Sequence, residues 1–151
     1  MALENKKDVE ELADHLSAIA DQAQSRVLAA IKQGRITPED ARTAFDQVVL
    51  LRQHANRLYI ETTLAIVDDL KIPQTELTQS IVEAGVALMK FERVASLMTL
   101  LTDFVKLAAA ASAGQSKATL NGFKKLRQDL QELAKLDAQI AGRGAAPTQQ
   151  A

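Results

Sequence analysis

Apolar residues recur along this chain at the spacing of α-helices, and no stretch shows the period-two alternation of a half-buried strand. Four helices are predicted. The first covers 3–33, where Val9, Leu12, Leu16, Ile19, Ala23, Val27 and Ala30 fall on one narrow stripe. Glu10, Glu11, Asp14 and Asp21 lie away from it. Gly34 suits the left-handed position just past a helix end. Thr37-Pro38-Glu39-Asp40 then reads as a helix start, with Thr37 as N-cap, Pro38 in the first turn and two acids favoured by the helix dipole. This second helix should run to about residue 70 and stop before Pro73, which restricts its predecessor. A third is predicted over 75–111, ending at Ser112-Ala113-Gly114. A fourth covers 117–141, with Phe123, Leu126, Leu130, Leu133 and Ile140 at heptad spacing. Residues 142–151 carry no apolar periodicity and read as a loose tail. The short links at 34–37 and 71–74 make sequential helices antiparallel neighbours. The expectation is all-α: an elongated up-down-up-down bundle of four helices forming one domain over 1–141.

Two of these helices carry more apolar surface than one core needs. A globular helix buries a stripe a little over 100° wide. Val94, Leu97, Met98, Leu100, Leu101, Phe104, Val105 and Leu107 spread over about 180° at 100° per residue. The second helix has a main stripe (Val48, Leu51, Leu58, Tyr59, Ile66) and another made by Val49, Ile60, Leu64 and Val67. An exposed second stripe is the kind of patch that monomers avoid. The pattern therefore predicts a homodimer, or failing that an obligate protein partner, joined through Val49, Ile60, Leu64, Val67, Leu97, Leu101 and Phe104. The competing arrangement places the second helix centrally, with its own bundle covering both sides. The stretch 94–111 is also a candidate face for an apolar ligand or a membrane surface. A bilayer-spanning role is rejected, because Asp103 and Lys106 interrupt it and each costs roughly 2.5–3.5 kcal/mol at a bilayer centre.

Composition narrows the chemistry. With 151 residues, 47% hydrophobic, 25% charged and a net charge of -1, the chain has the profile of one soluble domain. Six Gly and three Pro exclude a collagen-like or low-complexity chain. The lack of Cys removes disulfides, thiol nucleophiles and Cys-based zinc sites. Lys6 and Lys7 are followed by Asp8, Glu10 and Glu11 where a signal peptide needs an apolar core, so a cytoplasmic location is expected. Residues 1–40 hold five bases and eight acids, and residues 115–151 six bases and three acids. In a four-helix bundle the first and last helices are adjacent and these signs attract; alternatively, the basic last helix meets an acidic partner.

Catalytic patterns are missing. A di-iron bundle needs two Glu-x-x-His pairs, but Leu12 stands three residues before His15 and Leu51 before His54. Glu11 and His15 share a face off the apolar stripe and read, with His54, as surface residues. No Ser lies in a Gly-x-Ser-x-Gly turn, and Gly114 to Thr119 lacks the Gly-Lys-Ser/Thr order of a phosphate loop. Lys117, Lys124, Lys125, Arg127 and Lys135 make the last helix basic, yet no aromatic is interleaved for base stacking. Nucleic acid is not expected as a partner. Asp68-Asp69 reads as a frayed, solvated helix end. The resulting expectation is a non-enzymatic adaptor, regulator or inhibitor with no cofactor and no metal, acting through helical surfaces. A binder of apolar ligands or membrane surfaces is the runner-up, and a small metal or redox enzyme ranks behind both.

Overall fold

A computed structural model describes residues 1–67, 70–90 and 93–150, with side chains described through Leu136 and at Gln139. Among these residues it is all-helical. There are five α-helices rather than four: α1 Lys6–Lys32, α2 Pro38–Ile60, α3 Gln74–Lys90, α4 Val94–Ser112 and α5 Ser116–Gln150. The expected third helix is divided between α3 and α4. The tail expected at 142–151 and the Asp68-Asp69 pair lie outside the residues whose side chains are described.

Local chemistry sets most boundaries. Asn5 caps α1 by accepting from the Asp8 amide at 2.9 Å. Gly34, at φ +67°, closes the helix: its N–H donates to the Ile31 carbonyl and that of Arg35 to Ala30. Thr37 Oγ1 accepts from the Asp40 amide at 3.1 Å, starting α2 where the sequence predicts. The expected run of this helix to residue 70 is not found. Thr62 Oγ1 donates to the Leu58 carbonyl at 2.8 Å and to that of Tyr59 at 2.9 Å. The first of these carbonyls is the one the Thr62 amide would need to continue the helix, whose capping bond runs from the Glu61 amide to Arg57. The chain tightens into a 3₁₀ turn over Thr62–Ala65 and then extends.

Beyond that turn the chain returns to its own beginning. Val67 N–H donates to the Leu3 carbonyl at 2.9 Å, and Ala2 N–H donates to Ile72. Gln74 fastens the junction from both sides, accepting from the Leu3 amide and donating to the Asp8 carbonyl. Ala2, Leu3, Leu70 and Ile72 are buried by this clasp. Leu3 (φ 60°) and Lys71 (φ 57°) both adopt left-handed backbone, costing on the order of 1–2 kcal/mol each. The hydrogen bonds and buried side chains around them hold those conformations.

Contacting residues give the helix directions. Arg52 reaches Asp21 and Tyr59 reaches Asp14, so α1 and α2 are antiparallel. Thr78 donates to Glu11 while Gly85 lies against Ile19 and Gln22, so α3 runs parallel to α1. Gly122 approaches Leu107 and Lys125 faces Asp103, making α4 and α5 antiparallel. At the bundle end, Gly114 meets the Leu64 carbonyl, bringing the ends of α2 and α4 together.

At the centre stands α4, which packs against α1, α2, α3, α5 and the 3₁₀ turn. The placement accounts for its wide apolar arc: Leu97, Leu100, Leu101, Phe104 and Leu107 are all buried. The expected contact between the first and last helices is absent among the described residues, since α5 packs on α4 and α3. The acids of α1 are met instead by α2, with Arg52 on Asp21 at 2.7 Å. Arg127 of α5 pairs with Glu76 of α3 at 2.6 Å.

Candidate interaction surface and acid pair

The seven residues expected to form an interface divide into two groups. Val49, Ile60 and Leu64 are exposed, at 52%, 81% and 64%. Val67, Leu97, Leu101 and Phe104 are core residues, so four of the seven present no surface on this chain. The exposed three form no continuous patch. Val49 and Ile60 share a stripe of α2 but stand three turns apart, with exposed Gln53 and Asn56 between them. Ile60 and Leu64 lie at the bundle end where α2 gives way to the 3₁₀ turn.

The continuous apolar stripe is on α3, where sequence reasoning placed no site. Leu77, Ile81, Ala84 and Leu88 form its core face. Val82, Val86 and Met89, spaced i, i+4, i+7, make a second stripe roughly 120° away, and each is 41–48% exposed. Gly85, between the two stripes, brings α3 close against α1: a Cβ there would press on the ends of the Ile19 and Gln22 side chains. Glu83 and Lys90 border the stripe on its other side and are exposed. The second stripe was the available signal, the same one that drew attention to the second helix.

A different arrangement lies in the seam between α4 and α5. Asp103 and Asp129 are 5% and 6% exposed and lie together, flanked by Lys106 and Lys125. Two carboxylates this close do not both ionise readily. Burial first, and then Asp129, push the Asp103 carboxyl up to about 7. Burial also acts to raise Asp129, but hydrogen bonds from Asp103 and Lys125 outweigh it and hold that carboxyl below its usual range. Of the two, Asp103 therefore holds its proton to higher pH than an ordinary carboxyl, beside the more acidic Asp129. Lys125 Nζ reaches Asp129 at 2.9 Å, and this contact raises the lysine in turn.

Asp103 Oδ2 is buried without a hydrogen-bond partner. Beside it a cavity of about 340 Å³ opens between Lys106, Ala110, Ala118, Asn121, Gly122 and Lys125. Small residues make this room: Gly122 lets α5 approach Leu107 closely, and the alanines leave space alongside. The lining holds acids, amines, an amide and methyl groups. It can hold a proton near neutral pH, but neither His nor Ser is among its described residues. One warning of the pair stood in the sequence. Asp103 lies on the same helix line as Leu100 and Leu107, an acid on an arc that faces a core.

Neither histidine lines this seam. His15 and His54 are half-buried rather than fully on the surface. Burial and then Arg57 lower His54 from its ordinary value, and its Nδ1 has no partner. Among the described residues no three His, Asp or Glu side chains converge as metal ligands would. By length and composition α4 could cross a membrane, but more than half of that window is buried inside the bundle. No protein-family model matches the chain, and neither does any curated protein or solved structure.

Proposed function

We propose that this protein is a non-enzymatic interaction module that docks a protein partner through an exposed helical face. The observation that carries the reading is the Val82/Val86/Met89 stripe of α3, a continuous apolar surface left 41–48% exposed by the bundle. Scattered exposed apolar residues are ordinary on soluble proteins, whereas aligned ones on a regular helix offer a face that a second helix can pack against. Ile60 and Leu64 are further exposed apolar residues, at the end of α2. The membrane-surface reading receives less support, because it relied on the Leu97/Leu101/Phe104 face, which is core.

A photo-crosslinking side chain in place of Val86 tests this. The expected result in native lysate is a discrete protein adduct, lost when Val82 and Met89 of the probed chain are both replaced by Glu. The same probe at Glu39, an exposed polar position in the first turn of α2, should give none. No adduct at position 86, or an adduct that persists when Val82 and Met89 are both replaced by Glu, would overturn the reading.

A further inference from the structure

We infer that the partner for the α3 stripe is a second copy of this chain, with the two α3 helices packed antiparallel about a two-fold axis beside Val86. The inference rests on the interaction reading above and deepens it by naming the partner. A two-fold interface joins one patch to itself, so a suitable patch must be self-complementary. The α3 face meets this requirement in both shape and charge.

Val82 and Met89 stand at the two ends of the stripe with Val86 near its middle. Antiparallel pairing places Val82 over Met89 of the second copy, Met89 over Val82, and the two Val86 side chains beside the axis. Glu83 and Lys90 lie two turns apart on a single flank of that stripe. In an antiparallel pair the same flank of each helix meets, so Glu83 faces Lys90 of the second copy and Lys90 faces its Glu83. The apolar and the charged pairings call for axes that agree within one residue, or about 1.5 Å of helix rise. Parallel pairing brings opposite flanks together, so Glu83 and Lys90 of one copy would face neither of those residues of the other. The charge pattern therefore selects one orientation. Gln79 Nε2 donates to Glu83 at 3.2 Å and steadies that carboxylate on the flank.

The geometry also limits the strength of the contact. A 17-residue helix spans about 25 Å, so pairing through α3 alone falls at the small end of specific interfaces. Association should be reversible and visible at micromolar concentrations and above.

Sedimentation velocity on the full chain over a wide concentration range tests the proposal. Wild type is expected to shift from monomer to dimer. Glu83→Lys and Lys90→Glu, each alone, should weaken the dimer roughly tenfold by setting like charges opposite one another twice per dimer. Mixing the two variants should restore association between them, because every cross-pair is then of opposite sign. Circular dichroism melts that match wild type establish that these exposed substitutions leave the fold intact. Two results would overturn the proposal: a wild type that remains monomeric throughout, or a mixture that associates no better than either variant alone. In either case the position-86 crosslink separates the two readings. An adduct with a different protein leaves the interaction module standing without self-pairing, and no adduct removes both.

Discussion

The stretch that reads as one long helix becomes two helices with opposite fates. Both α3 and α4 carry apolar residues on more than one side. In α4 most of that arc is covered, because α2, α5, α1 and α3 all pack against it. In α3 the core face is covered while Val82, Val86 and Met89 meet water. The difference lies in the neighbours rather than in the residues. Hydrophobic width along a sequence measures how much cover a helix requires. It does not say whether that cover comes from the same chain.

The sharpest way to break the comparison is to truncate a side chain on the α4 side. Phe104 is fully buried at the heart of the bundle. Phe104→Ala should cost about 3–5 kcal/mol, a large part of a typical domain's stability. Urea unfolding will measure this; a loss below about 1 kcal/mol would return Phe104 to the surface.

Next in size is the turn that ends α4. Gly114 has φ +67°, and a Cβ there would run into the Leu64 carbonyl. Gly34 has the same φ but open space around it. Gly114→Ala should therefore cost about 3 kcal/mol, and Gly34→Ala only the left-handed penalty of about 1–2 kcal/mol. Equal losses in thermal melts would mean that the contact with Leu64 contributes nothing.

The acid pair adds a pH dependence. Asp103 titrates higher in the folded chain than in the unfolded one, so the folded state binds its proton more tightly. Its contribution is present at low pH and is lost as pH rises from about 4 to about 7. Asp129 shifts the opposite way, and its effect falls below the usual carboxylate range, outside that window. Stability should drop by on the order of 2 kcal/mol across the window. Asp103→Asn, which keeps a donor toward Asp129 at every pH, should flatten the slope. Denaturation at pH 5 and pH 8 compares them, and an unchanged slope in the variant would dismiss the raised Asp103 carboxyl.

The smallest expected effect belongs to α3. Val86→Glu should change monomer stability by no more than about 0.5 kcal/mol, as exposed substitutions do. A loss of several kcal/mol would show that this stripe is core after all.

What the sequence reveals follows the range of the physics involved. The Gly34–Thr37–Pro38 link is legible because caps and left-handed turns act within a few residues. The end of α2 is not, because no Gly or Pro marks it. Nor does any such residue separate α3 from α4. The core stripe of α1 was correct, since Val9 through Ala30 are buried as the wheel predicts. The burial of Leu97, Leu101 and Phe104 was not, because it depends on α4 breaking away from α3 and lying between α2 and α5. The Asp103–Asp129 meeting joins residues on different helices, and only their packing reveals it.

The clasp between the first residues and the segment before α3 also bears on the order of assembly. Leu3 and Val67, joined through their backbones, are separated by the whole of α1 and α2. Those two helices meet through a tight turn and can form a hairpin early, whereas the clasp must wait for its distant strands of chain to be brought together. Two left-handed residues within it add a cost that is recovered only once Ala2, Leu3, Leu70 and Ile72 are enclosed. The clasp thus closes only after the α1–α2 hairpin has brought the two ends of this stretch together.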